Sequence, residues 1–434
     1  MLAGSSLTFL IKTFGMFLGY LAIFIISQRY GAAGVGIYNL TLSMMMFVAM
    51  LSMMGMNVSI LRYVGQLNKS GEEFRLRKLY KYVIELVVPF SLFLSLLLYT
   101  SANFIALKVL QDQVFQPAIE FVAFIIPLLA LQNISVEFIR GLKKLKVSEF
   151  FRSVSRPSIN IVLLLSLSWY FIDQLLPIYT LGAGVVLSAI CALIFIIRNL
   201  KSSGLKSSES INKDVITKKE LISTSLPMMI TVVASFVMGN ISLYLLEGYS
   251  STEHVGIFSV ALKIAALVGL VLVIVNTISA PKFSELYWSN EYGKLQNLIS
   301  HSTGLIFIIS LCVSLLIIVF SKPILSIFGE EFIVGSVTLI LLVIGQMINA
   351  MTGSVGVLLN MTGNQKTFRS ITVLAMMVNI ILNVLLVPLY GMNGAAVAIT
   401  TGLIILNTGA AIATKRKLGL TTYPKLQFRN KYGK

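Results

Sequence analysis

Histidine and cysteine are almost absent from this chain, with two of each in 434 residues. Cys191 and Cys312 each fall inside an apolar run, so neither a disulfide framework nor a thiolate metal site is expected. His254 lies in a polar turn and His301 near the inner end of an apolar run, where solvated or interfacial roles suit them. No HExxH run, Walker loop or glycine-rich dinucleotide turn occurs. Charge is also scarce: 12% of residues are charged and 56% hydrophobic, which excludes a soluble globular domain. No gap between apolar runs exceeds about 25 residues, so there is no room for a soluble catalytic domain or a nucleotide-driven motor. The chain is not expected to be an enzyme, and no cofactor is expected. The remaining drives for transport are a proton or sodium gradient, or simple facilitation.

Long apolar runs are what the sequence has in plenty. They fall at 6–28, 37–61, 82–105, 118–139, 157–177, 178–197, 221–246, 254–280, 298–320, 336–359, 369–390 and 393–414. Each is close to the ~20 residues that cross a bilayer as a helix, the conformation that satisfies its own backbone in lipid. The expected fold is an all-α polytopic membrane protein of about twelve transmembrane helices. Lysine and arginine occupy alternate gaps: six in 62–81, six in 140–156, six in 198–220 and seven from Lys415 onward. The opposite gaps hold Arg29, Lys108 and Lys322. Positive loops stay cytoplasmic, so both termini are expected inside. The net charge of +17 is read as topology setting and contact with anionic headgroups. Nucleic acid is not an expected partner, because no aromatic-studded basic domain accompanies the charge. The start lacks a charged n-region and a small-residue cleavage site, so no cleaved signal peptide is expected.

A weak internal repeat divides the chain. Gly36-Ile37-Tyr38 is answered by Gly256-Ile257-Phe258, and Phe151-Arg152-Ser153 by Phe368-Arg369-Ser370. Six spans separate the copies, so they are parallel, and two pseudo-symmetric six-helix bundles around a central cavity would allow alternating access. The expected organisation is an N-terminal bundle over 1–197, a cytoplasmic linker over 198–220, a C-terminal bundle over 221–414 and a basic cytoplasmic tail over 415–434. Gly15-x-x-x-Gly19 is a close-packing signal, and Pro227 is a candidate bend in the seventh span.

Ionisable groups at membrane depth are costly and therefore candidates for function. Lys263 lies nine residues into its span, roughly 13 Å at 1.5 Å per residue, beyond comfortable snorkelling. Lys12 lies about six residues into the first span, within partial reach of the interface. Glu85, Glu137, Glu120 and Asp173 sit nearer the ends of spans, and Glu137 has Arg140 and Lys144 at helical spacing. Asn379 and Asn383 share a face of the eleventh span, Gln346 and Asn349 one of the tenth, and Asn160 and Asn276 are similar. Amides both donate and accept, which suits sugar hydroxyls, though they also tie helices together.

The segment 29–66, RYGAAGVGIYNLTLSMMMFVAMLSMMGMNVSILRYVGQ, resembles the polysaccharide-exporter branch of the multidrug/oligosaccharidyl-lipid/polysaccharide flippase superfamily. Arg29, Gly36, Tyr38, Gly55, Asn57, Arg62 and Tyr63 occupy that branch's motif positions. Leu226-Pro227, Asn276 with Ala280-Pro281, and Gly391-x-Asn393-Gly394 extend the likeness along the chain. Two positions depart from it: Asn57 stands where an aspartate is common, and Gly239-Asn240-Ile241-Ser242 where many relatives carry an acid. The resemblance implies translocation of an undecaprenyl-pyrophosphate-linked oligosaccharide, an O-antigen or capsule repeat unit, across a bacterial inner membrane. It also implies membrane lipids as surroundings, and a glycan polymerase and chain-length regulator as partners. The substrate-cavity candidates are Lys12, Lys263, Arg29, Arg62, Asn57, Asn276, Asn379 and Asn383, with Glu120 and Asp173 as candidates for ion coupling. A cation-coupled multidrug exporter of the same fold is the first alternative, and a membrane glycan polymerase the second.

Overall fold

A backbone surrounded by lipid must close its hydrogen bonds within its own segment, and the computed structural model meets this with helices. It describes residues 2–70, 73–171, 173–202 and 217–423, and no strand occurs among them. In chain order the helices are α1 (Leu2–Ser52), α2 (Met56–Ser70), α3 (Glu73–Phe104), α4 (Phe115–Gly141), α5 (Leu145–Glu149), α6 (Ser155–Leu167) and α7 (Leu176–Ser202). They continue with α8 (Lys218–Tyr249), α9 (Thr252–Trp288), α10 (Tyr292–Val319), α11 (Ser321–Ser326), α12 (Ser336–Thr352), α13 (Val355–Met361) and α14 (Gln365–Leu418).

Nine of the described helical segments are long and apolar enough to cross a membrane. Two of them are helix pairs joined at a kink, where Gly31 in α1 (φ 63°) and Gly391 in α14 (φ 52°) adopt left-handed backbone. Only glycine takes that conformation at little steric cost. The twelfth crossing is α6, only 13 residues long. Ahead of it α5 and a π-helical turn, Phe150–Val154, keep the chain helical from Leu145. The expected twelve-helix architecture therefore holds in a multi-pass membrane protein.

The boundaries shift where local chemistry demands. The run expected at 157–177 starts earlier and ends at Leu167, because Trp169–Tyr170–Phe171 leave the helix for a turn. The basic gap at 140–156 is thus mostly helical, which places Arg152 and Arg156 on helical turns instead of in a loop. The run at 37–61 breaks at Met54 (φ 48°) and Gly55 (φ 77°), and that at 336–359 breaks at Gly353 (φ 67°). Pro227 lies within the continuous α8. Residues 203–216 of the expected linker and 424–434 of the expected tail lie outside the described residues.

The outer surface is apolar where that of a soluble protein is polar. Leu92, Phe93, Leu96 and Leu97 on α3 and Leu315, Leu316 and Val319 on α10 are exposed apolar side chains, a hazard in water and the natural face toward acyl chains. Inside lie small hydroxyls: Ser59, Ser135, Ser225, Ser310, Thr338 and Thr372 are fully buried. Most of them return their proton to a helix carbonyl, as Ser225 Oγ to Leu221 O at 2.7 Å and Thr372 Oγ1 to Phe368 O at 2.9 Å. Small residues of this kind let helices approach closely. Gly15 does so: a Cβ there would lie 2.5 Å from the Ser153 carbonyl oxygen. Gly19, its partner in the expected motif, meets no neighbour.

The chain divides into two compact units, Met1–Val233 and Ala234–Lys434. The division falls within α8. Its first half packs on unit 1 through Ser59 Oγ to Ser225 Oγ at 2.6 Å, Tyr63 to Thr224 at 3.3 Å and Lys218 to Glu85 at 2.6 Å. In unit 2 the core gathers Phe258, Phe283 and Phe332 among the fully buried side chains.

Candidate functional site

In unit 1, the turn Met54–Gly55 and the start of α2 bring Met53 and Asn57 against the C-terminal part of α4. There they line a pocket of about 180 Å³ with Asn133, Val136 and Glu137 of α4 and Arg152 of the π-helical turn. Asn133 and Glu137 are four residues apart and so share a face of α4. The π turn, which adds a residue to one turn of helix, sets the register of Arg152. Its guanidinium Nη2 donates to Glu137 Oε1 at 2.5 Å. Arg140 Nη1 lies 3.7 Å from Glu137 Oε2, and Arg152 Nε lies 3.9 Å from Glu149 Oε1. Two carboxylates and two guanidiniums meet here, and, one turn on, Arg156 adds a third guanidinium, its Nη2 donating to Arg152 O at 3.3 Å. Glu137 Oε2 and Arg152 Nε are buried without a hydrogen-bond partner. Each instead has an opposite charge within 4 Å, Arg140 for Glu137 Oε2 and Glu149 for Arg152 Nε. The helical-spacing partner Arg140 is present as expected; Lys144 instead reaches Asn199 and the ring of Phe195.

The other candidates fall in several places. Arg29 is not gathered into this pocket: its Nη1 donates to Ser168 O at 3.3 Å and its guanidinium lies 4.5 Å from the centre of the Trp169 ring. It clasps the turn that follows α6. Arg29→Ala should lower thermal stability by only about 1 kcal/mol, the usual scale of an exposed cation–π contact, and leave transport intact. Melting temperature in detergent together with a transport assay checks this. Asp173 Oδ1 accepts from Leu175 N at 2.9 Å and so caps the entry to α7. Glu120 accepts from Gln116 Nε2 at 2.9 Å one turn earlier on the same helix. Arg62 lies on α2, and its side chain is outside the described residues. Lys12 is half-buried on α1 and has no polar partner among the described residues.

In unit 2, Asn383 is buried and tied in, donating to Asn379 O at 2.9 Å and accepting from Ser242 Oγ at 2.7 Å. Asn379 is fully buried beside Gly402, and neither of its amide atoms has a hydrogen-bond partner. Asn276 is half-buried, with Oδ1 unpartnered. Gln346 and Asn349 bond each other at 3.3 Å. Lys263 is half-buried on α9. Asn160 is engaged by Tyr38 and Thr180, a packing network inside unit 1. Among the described residues no group of three histidine, cysteine or carboxylate side chains is placed to hold a metal ion. Sequence reasoning does not single out Asn133, although its i, i+4 spacing to Glu137 is a usable signal.

A family model described as polysaccharide biosynthesis protein matches residues 1–287, and the MatE model matches residues 227–385. The probable low-salt glycan biosynthesis flippase Agl15 of Haloferax volcanii is 26% identical over 222 residues, 51% of this chain and 45% of its own length. The capsular polysaccharide biosynthesis protein CapF of Staphylococcus aureus is 23% identical over 190 residues, 44% of this chain and 48% of its own. The chain thus spans about half the length of the curated relatives it matches. Among solved structures, the lipid II flippase MurJ in an inward closed conformation has a TM-score of 0.77 at 17% identity, covering 94% of this chain and 87% of its own. An inward-facing multidrug resistance transporter of the MATE family has a TM-score of 0.67 at 16% identity, covering 93% and 94%. At such identities the likeness is one of fold.

Proposed function

The chain belongs to the polysaccharide biosynthesis protein family, and on that premise we propose that it is a flippase moving a lipid-linked glycan from one leaflet to the other. The finer reading is an undecaprenyl-pyrophosphate-linked oligosaccharide, crossing a bacterial cytoplasmic membrane toward the outer leaflet. Both chain termini are cytoplasmic, as the lysine and arginine distribution implies. No bond of the substrate is made or broken, so the work is to give a hydrated headgroup a polar route while the prenyl tail stays in lipid. Alternating access of two six-span bundles is the class of motion that does this.

The observation that carries the reading is the placement of polar groups inside helices whose outer faces are apolar. Unit 1 holds Asn57, Asn133, Glu137 and Arg152 around one pocket, and unit 2 holds Asn379 and Asn276 with unsatisfied amide atoms. The membrane-depth cations Lys12 and Lys263 complement a pyrophosphate. A proton or sodium gradient is the proposed drive, and a glycan polymerase and chain-length regulator are the proposed neighbours.

Leaflet-resolved quantification of lipid-linked oligosaccharide, in the native host with and without this gene, tests the proposal. Accumulation on the cytoplasmic side with loss of surface glycan is the expected result. Lys263→Ala should lower export at unchanged protein level, and Lys263→Arg should retain more of it; equal rates for the two variants would remove Lys263 from the pathway. The MatE match over residues 227–385 favours a second reading, export of cationic drugs. Unchanged glycolipid with raised sensitivity to cationic dyes in the deletion strain would select it.

A further inference from the structure

The pocket in unit 1 is small for a glycan. Its ~180 Å³ falls below the ~300–1,000 Å³ typical of sites for drug-sized ligands, and suits a single ring. Its walls carry two amides, a carboxylate and a guanidinium, together with the apolar side chains of Met53 and Val136. Amides donate and accept, the carboxylate accepts and the guanidinium donates, which matches a ring of hydroxyls that each do both. The apolar pair offers a surface for the C–H face of such a ring.

We propose that this pocket seats a single monosaccharide unit of the glycan, so that unit 1 reads one sugar. The proposal rests on the flippase reading and adds the class of group the pocket takes.

The test uses the full-length protein in lipid nanodiscs and saturation-transfer NMR. The probes are methyl glycosides of glucose, galactose, N-acetylglucosamine and N-acetylgalactosamine, with inorganic pyrophosphate as competitor. Asn133→Leu replaces an amide by an alkyl group of similar size and leaves the Glu137–Arg152 pair in place; Asn57→Leu does the same from the opposite wall. Wild-type protein should show transfer to at least one glycoside, weakened about tenfold in both variants at unchanged melting temperature, and pyrophosphate should not displace it. No transfer to any of the four glycosides would overturn the proposal, as would equal transfer in both variants or displacement by pyrophosphate. The leaflet measurement separates the two levels. Full flipping by Asn133→Leu and Asn57→Leu would sink the sugar pocket and spare the flippase. Glycoside binding in a wild-type protein that does not flip would sink the flippase reading and leave the pocket a sugar site.

Discussion

Gly55→Ala is expected to abolish most of the folded protein that can be recovered from the membrane. Gly55 has φ 77°, and an ideal Cβ there would lie 2.3 Å from the carbonyl oxygen of Ser225 and 3.1 Å from the amide nitrogen of Met229. The left-handed conformation alone costs a non-glycine residue about 1–2 kcal/mol. The clash is with helix backbone, which no rotamer change relieves, and overpacking of this kind adds about 1–3 kcal/mol. Relief by separation of α2 from α8 would strip Ser59 of its bond to Ser225 and Tyr63 of its bond to Thr224. Gly65→Ala is the matched control on the same helix, since nothing lies within 4 Å of its Cβ. It should be neutral or stabilising by up to about 1 kcal/mol, because alanine is the better helix former. Monodisperse yield after detergent extraction and the melting temperature of what remains distinguish the two. Equal yields would mean that the α2–α8 contact is not needed for folding.

Glu137→Ala should be the most damaging single removal of a charge in unit 1. The carboxylate side chain is 13% exposed and serves both Arg152 and Arg140, so its loss leaves two guanidiniums facing each other beside a pocket. Removing one partner of a fully buried pair costs about 3–5 kcal/mol. Arg152 is one-third exposed, which brings the expected loss down to about 1–3 kcal/mol. Glu149→Ala, whose carboxylate stands 3.9 Å from Arg152, should cost less. Glu291→Ala breaks a surface pair with Lys294 and should stay within about 0.5 kcal/mol. A double-mutant cycle of Glu137→Ala with Arg152→Ala, read by thermal unfolding in detergent, should show positive coupling. Additive losses would show that the pair contributes nothing beyond its separate members.

How much of this was legible in the sequence depends on the range of the interaction. The crossings are local in origin, and eleven of the twelve apolar runs correspond to long helices or to the two arms of a helix kinked at glycine. The fifth was misplaced at both ends, because hydropathy alone does not register that residues 145–156 stay helical. The Glu137–Arg140 contact follows from three-residue spacing, whereas Glu137–Arg152 depends on a π turn that no periodicity announces. Arg29 carries a family motif and looks like a cavity charge; its partner is Ser168, 139 residues away, which only the folded chain brings near. Asp173, a candidate for ion coupling, also stands two residues before the amide from which it accepts, a pattern visible in the sequence. The pocket itself was half legible: Asn57 and Glu137 stood out, and Asn133 did not.

The packing of α8 bears on how the protein is made. Unit 1 extends to Val233, so the polar stretch before α8 is not where its structure is complete. A ribosome that has delivered only the first six crossings leaves Gly55, Ser59 and Tyr63 without the helix they later abut. Unit 1 therefore matures only once the next crossing has entered the bilayer, and insertion of the second half begins before the first is finished. Severing the gene within 203–216 would give two fragments of unequal standing: the first lacks a wall, and the second carries it. Co-expressed, they should need each other to survive proteolysis, with the shorter-lived partner being the N-terminal fragment.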